Sequence, residues 1–174
     1  QSPCRLRGCS PARLFFGIRH NFPDPSRSLI KAFLVSMTED MRPGQYGGGK
    51  YLEINSRPHP GAGFGKLERT NDFKEMIKFE DNRSGLRLGL TRKIKFALKN
   101  MDRAKIVVVL DYPDHAGDTI IDDLDLLIKD SSGKIYYPEN ISEFRTTEMV
   151  EFTAIRKHDY TICINARNVK NKYT

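Results

Sequence analysis

The sequence predicts a mainly β protein, an antiparallel β-sandwich or jelly roll that is preceded by a helical segment. From about residue 74 onward, short apolar runs with a period of two alternate with turn-forming residues. A single helical stripe comes before these runs, and little helical periodicity follows it. The 174 residues are enough for one ordinary domain, or for a small domain with a piece of another attached.

The helix is predicted after Ser26. Ser26 or Asp24 can cap its first turn, while Pro43 and Gly44 are expected to end it. Its buried stripe consists of apolar residues at helical spacing, namely Leu29, Ile30, Phe33, Leu34, Met37 and Met41. The proline- and glycine-rich residues 57–65 that follow are expected to form an irregular connection, because these residues interrupt both helices and strands.

The strands are predicted from alternation. Ile94, Phe96 and Leu98 alternate with lysines, which is typical of a half-buried strand. Turns are expected at 131–133 and 157–159. Six further strands are predicted, at Met76–Phe79, Lys105–Tyr112, Leu124–Ile128, Lys134–Tyr137, Met149–Ile155 and Tyr160–Ala166.

Composition, charge and short motifs bear on whether the chain spans a membrane, binds nucleic acid or is secreted. No apolar run is long enough to cross a bilayer, so no membrane span is expected, and no signal peptide is recognised at the start of the sequence. The formal net charge is +7, but the basic residues are scattered through alternating strands, which favours a solvated face over a nucleic-acid partner. Two glycosylation sequons, at Asn82 and Asn140, slightly favour a secreted or extracellular location.

A loop between two strand-like runs is crowded with carboxylates. Such a cluster repels itself unless solvent, basic neighbours or a cation compensates. Calcium suits hard oxygen ligands in an irregular loop, and Asp123 and Asp125 are expected to point to one face of a strand. A solvated loop paired with nearby lysines is the alternative. The candidate metal ligands are Asp111, Asp114, Asp118, Asp122, Asp123 and Asp125.

Several segments of the second half resemble a known family. They are Val107–Asp114, Asp122–Leu126, Gly133–Tyr137 and Thr161–Val169. Together they look like the β-sandwich domain that follows the catalytic domain in many subtilisin-like serine proteases. Tyr112 stands where that family usually has tryptophan, and Asp122 where it usually has asparagine. The resemblance implies an accessory sandwich domain, and some such domains bind calcium around these motifs.

The first half resembles the same family. Residues 25–34 resemble the helix that follows the nucleophile helix, and residues 60–67 resemble the turn that closes the catalytic domain. This implies that residues 1–70 are the C-terminal remnant of a subtilase catalytic domain and that residues 71–174 form the β-sandwich. The chain is then a fragment of an endopeptidase, whose partners are the parent's catalytic domain and a protein or peptide substrate.

Catalysis by the chain alone is not expected. The segment around Ser10 resembles the nucleophile motif of the family, but Leu14 replaces an expected proline and the spacing to Gly17 is one residue short. Ser10 is therefore interpreted as a degenerate nucleophile, with a helix cap or loop serine as the alternative. All four histidines, His20, His59, His115 and His158, follow Ser10, whereas subtilases place the triad aspartate and histidine before the serine.

A second function stays open at this point. The chain could instead be a free-standing β-sandwich module that uses calcium at the acidic loop to bind a glycan, a lipid or a protein. The helix before the sandwich argues against this hypothesis.

Overall fold

The computed structural model describes residues 24–47, 53–67, 78–114, 121–139 and 145–169. Its one described helix, α1, spans Arg27–Ser36. The strands are β1 Thr38–Glu39, β2 Lys66–Leu67, β3 Thr91–Ala97, β4 Arg103–Asp111, β5 Asp123–Asp130, β6 Ile135–Tyr136, β7 Thr147–Ile155 and β8 Asp159–Asn168. All described strand pairs are antiparallel, which confirms the predicted mainly β class.

The strands form two principal sheets. The first sheet has four strands in the order β3-β8-β5-β6, and the second consists of β4 and β7. β4 and β7 pair along their whole length, from Arg103 opposite Ile155 to Asp111 opposite Thr147. β1 and β2 form a separate two-stranded sheet near the start of the described chain.

The core lies between the two principal sheets. Its buried members are Leu126, Ile128, Val150, Phe152, Ala154 and Tyr160. Half-buried side chains from β3, β4, β6 and β8 pack against them, among them Phe96, Val108 and Ile162. Both sheets therefore remove one apolar face from water by facing each other, as the sequence predicts for a sandwich.

The start of α1 is predicted correctly and its end is not. Ser26 Oγ accepts a hydrogen bond from the backbone N–H of Leu29 at 3.0 Å. The helix ends at Ser36, well before Pro43, so its predicted extension to Met41 is wrong. Thr38 explains the early end, because this residue enters β1, pairs with Leu67, and donates its hydroxyl to the carbonyl oxygens of Val35 and Phe64.

The strand predictions from residue 93 onward are confirmed, with shifts of at most three residues at the ends. The strand predicted at Met76–Phe79 is not, since residues 78–80 are irregular and residues 76–77 lie outside the described ranges. The predicted turn at 131–133 joins β5 to β6. There Asp130 Oδ1 accepts backbone N–H bonds from Ser132 at 2.9 Å and Lys134 at 3.0 Å, which fixes β6 beside β5.

The described residues between 24 and 67 pack on the second sheet through α1 and one buried arginine. α1 contacts β4. Arg57, only 2% exposed, donates Nη1 to Glu151 of β7 at 2.7 Å and Nε to the carbonyl oxygen of Phe64 at 2.9 Å. Its Nη2 donates to the carbonyl oxygen of Thr38 at 2.8 Å. One guanidinium thus joins the β1–β2 segment to β7.

Candidate functional site

We call one end of the sandwich the acidic end. It comprises Asp111, Asp114, Asp122, Asp123, Asp125 and Glu148. Because the strands are antiparallel, the C-terminal end of β4 lies beside the N-terminal end of β7, and β7 also contacts β5. The predicted ligand Asp118 and the candidate nucleophile Ser10 lie outside the described residues.

Asp111 lies on the face of the second sheet that meets α1. Its carboxylate contacts Lys31 Nζ at 2.8 Å and accepts the hydroxyl of Thr147, and its side chain is only 5% exposed. Leu110, one residue earlier, packs against the core on the opposite face. Asp111 therefore anchors the helix to β4.

Asp114 connects the described segments on either side of residues 115–120. Its two carboxylate oxygens accept the backbone N–H groups of Ile121 at 2.9 Å and Asp122 at 3.0 Å. A carboxylate that accepts two amides fixes the direction in which the chain enters β5.

Asp123 and Asp125 share one face of β5, as predicted. Leu126 and Ile128 are buried on the alternate positions. Arg167 Nε contacts Asp125 at 3.1 Å. Burial, together with the negative charge of Asp123, raises the pKa of Asp125 above its usual value. The two carboxylates therefore repel each other, and Arg167 offsets part of that repulsion.

Glu148 completes the acidic end and was not among the predicted site residues. It occupies the same period-two position of β7 as the core residues Val150 and Phe152. Its carboxylate accepts the backbone N–H of Leu126. The sequence signal that could have identified Glu148 is a carboxylate at a core-facing position of an apolar strand.

Glu148 and Tyr112 close an open strand edge. β6 pairs only with Ile128 and Lys129, so the first half of β5 has no described strand on that side. The N–H of Leu126 goes to Glu148, and the N–H of Leu124 donates to Tyr112 Oη at 3.4 Å. Side chains from the β4–β7 side thus satisfy backbone donors that another strand would otherwise take.

The pKa values of Glu148 and Tyr112 are both raised. Burial is the main reason that the pKa of Glu148 is raised to about 7, and the charges of Asp125 and Asp123 raise it further. Burial likewise raises the pKa of Tyr112 to about 12. Near neutral pH, Glu148 therefore exchanges a proton while it holds the N–H of Leu126.

We expect Glu148→Gln to stabilise the protein at alkaline pH. A pKa of about 7, above the ordinary 4.5, means that the folded state binds the proton more tightly, so stability is full below pH 4.5 and is lost as pH rises through 7. Glutamine keeps an acceptor without the charge. Allowing for solvent screening, the variant should gain about 1 to 2 kcal/mol at about pH 8 and little at about pH 5 in urea unfolding.

The matched control is Glu80→Gln, an exposed carboxylate that contacts Arg92. Because an exposed ion pair contributes little, Glu80→Gln should change the free energy of unfolding by no more than about 1 kcal/mol. A Glu148→Gln profile that runs parallel to the wild-type profile would show that this carboxyl does not titrate near neutrality.

Four carboxylates of the acidic end contact basic side chains or backbone amides, namely Asp111, Asp114, Asp125 and Glu148. Across the described ranges, no group of three or more His, Cys, Asp or Glu residues is arranged to hold a metal ion. Calcium binding at the acidic end stays a prediction, and it concerns Asp118 as well as the described aspartates.

Two of the four histidines are described. His59 Nδ1 accepts the backbone N–H of Gly61 at 3.1 Å. His158 Nδ1 lies 3.1 Å from the hydroxyl of Ser131 and joins two turns. His20 and His115 lie outside the described residues. The described part of the chain also contains no helix with the length and apolar character that a bilayer crossing needs.

No protein-family model and no curated protein matches the sequence.

Proposed function

We propose that the chain is the C-terminal portion of a subtilisin-like serine endopeptidase, in which the β-sandwich is an accessory domain that stabilises the catalytic domain. The observation that carries this proposal is the docking of the described residues between 24 and 67, which belong to the proposed catalytic-domain remnant, on the second sheet. An accessory domain can stabilise its neighbour only through a defined contact, and Arg57 and Lys31 supply contacts of that kind.

The chemistry of this contact supports a fixed orientation. A buried arginine requires several well-placed acceptors, because the loss of its hydration costs several kcal/mol. Arg57 has acceptors on β1, on Phe64 and on β7. A bidentate or forked guanidinium pairs with its acceptors in few geometries, so the pairing specifies how the segment sits on the sandwich.

Exposed apolar side chains on the same segment also support the fragment hypothesis. Met41 is 44% exposed and Tyr46 is 76% exposed, both in the part that would adjoin the rest of a catalytic domain. By contrast, Val35 and Met37 are buried. The segment thus has one face against the sandwich and apolar side chains left for another neighbour.

The proposal is tested by expressing the parent reading frame with and without residues 71–174. We expect both forms to be made, and the shortened form to lose peptidase activity at a lower temperature than the full form. Equal inactivation temperatures would show that the sandwich does not stabilise the catalytic domain.

The chain by itself should not cleave peptides. It lacks a triad aspartate and histidine ahead of Ser10, so a serine-hydrolase probe should not label it and casein should stay intact. The control is Ser10→Ala. Labelling of the wild-type chain that disappears in this variant would mean that Ser10 is an active nucleophile.

A free-standing, calcium-dependent binding module is the second candidate. It is favoured by the burial of Met37, which leaves less of the helical stripe uncovered than a bare fragment would have. Its ligand would be a glycan, a lipid or a protein.

The module hypothesis predicts that calcium raises the melting temperature. A ligand at 100 times its dissociation constant stabilises the native state by about 2.7 kcal/mol, so the difference between chelator and millimolar calcium should be measurable by calorimetry. Asp123→Asn combined with Asp125→Asn should abolish the shift while the sandwich stays folded, because both side chains lie off the core face. An unchanged melting temperature in wild type would remove calcium from the account.

A further inference from the structure

The sandwich has a basic end opposite its acidic end. We use this name for six exposed cationic residues, Lys99, Arg103, Lys129, Lys134, Arg156 and Lys157. They lie in or beside three turns, at residues 98–102, 131–134 and 156–158.

The strand register places these turns at one end. Ala97, the last residue of β3, pairs with Asp159, and Asp130, the last residue of β5, pairs with Tyr160. In the second sheet Arg103 pairs with Ile155. The turns that follow β3, β5 and β7 therefore all face away from the acidic end.

Few of these charges are neutralised. Within the described residues the only ion pair among the six cations joins Arg156 to Asp102 at 3.8 Å. Asp130 faces inward and accepts bonds from its own turn, which leaves Asp159 as the other carboxylate at this end. Lys134 Nζ also lies 4.7 Å from the centroid of the Tyr136 ring. The six cationic side chains are exposed, and five of them form no ion pair within the described residues, which gives a local positive potential.

An apolar side chain lies among these cations. Met101 is 53% exposed in the turn between Lys99 and Arg103. Because the cations are spread over three neighbouring turns, they match an extended surface such as a membrane better than a single strand of a linear polyanion. An exposed apolar tip surrounded by cations is what a peripheral contact with acidic lipid headgroups uses.

We propose that the basic end binds an anionic phospholipid surface, with Met101 entering the headgroup region. The cations would attract the acidic headgroups, and each lysine or arginine near such a surface raises binding by about fivefold. This contact is independent of the proposed protease relationship, because it uses none of the residues that dock the N-terminal segment.

The experiment measures sedimentation of the 174-residue chain with phosphatidylcholine vesicles, with and without phosphatidylserine. We expect binding only when phosphatidylserine is present, and its loss at about 0.5 M salt. The double variant Lys129→Gln, Lys157→Gln should bind about 25-fold more weakly. Met101→Ser should weaken binding further without changing its salt dependence.

The matched control removes the same charge elsewhere. Lys66 and Lys78 are exposed and lie outside the basic end, so Lys66→Gln with Lys78→Gln should keep binding within about threefold of wild type. An equal loss of vesicle binding in both double variants would show that only the net charge of the protein matters, and it would contradict a binding site at the basic end. Binding to sulfated dextran without binding to the vesicles would overturn the lipid proposal in favour of a soluble polyanion. Equal binding to vesicles with and without phosphatidylserine would also overturn the proposal, because the acidic headgroup would then not be recognised.

Discussion

Replacing Arg57 by alanine should lower the free energy of unfolding by about 3 to 5 kcal/mol. The change removes the donors to Glu151, Phe64 and Thr38 at once. Arg57 is only 2% exposed, and each hydrogen bond from its charged group contributes about 1.5 to 3 kcal/mol. Glu151 keeps its contact with Lys105, and the Phe64 carbonyl keeps the Thr38 hydroxyl, so the loss is smaller than the sum of the three bonds. Urea unfolding followed by circular dichroism measures the loss.

The control for this prediction is a second cation on the same carboxylate. Lys105 contacts Glu151 at 2.9 Å, but its side chain is 60% exposed. Lys105→Ala should therefore cost no more than about 1 kcal/mol. If both variants lost the same small amount, the N-terminal segment would not be held by Arg57.

Phe152→Ala should cost about 3 to 5 kcal/mol as well, for a different reason. Phe152 is 7% exposed, and its ring centroid lies 4.5 Å from that of Tyr136 and 5.3 Å from that of Tyr160. It therefore connects β7 to both β6 and β8, across the space between the sheets. Truncation leaves a cavity among aromatic rings, and the melting temperature should fall accordingly.

Tyr137 is the comparison residue for this variant. It is the residue directly after Tyr136, the ring that Phe152 contacts, and it is 57% exposed. Tyr137→Ala should change stability by no more than about 0.5 kcal/mol. Comparable losses at Phe152 and Tyr137 would mean that the two sheets do not share an interior.

Local sequence signals predicted much of the fold. The alternation in β3 and the capping serine at the start of α1 depend on neighbouring residues, and both appear in the structure. The pairing of Asp123 and Asp125 on one face of β5 follows from the same period of two. These features could be predicted because each is set within a few residues along the chain.

Features that depend on distant partners could not be predicted in this way. Arg57 and Glu151 are 94 residues apart, and neither stands out in the sequence. The early end of α1 depends on the pairing of Thr38 with Leu67. Glu148 acquires its raised pKa only when β7 meets the open edge of β5. Tertiary contacts therefore determine where α1 ends and why the pKa of Glu148 is raised.

The measurement that tests the central proposal most directly is the sequence of the transcript upstream of the Gln1 codon. The proposed protease relationship predicts an open reading frame that continues upstream and encodes a catalytic aspartate motif followed by a His-Gly-Thr-like motif. A reading frame that begins at or shortly before this codon, or one that encodes an unrelated domain, would contradict it.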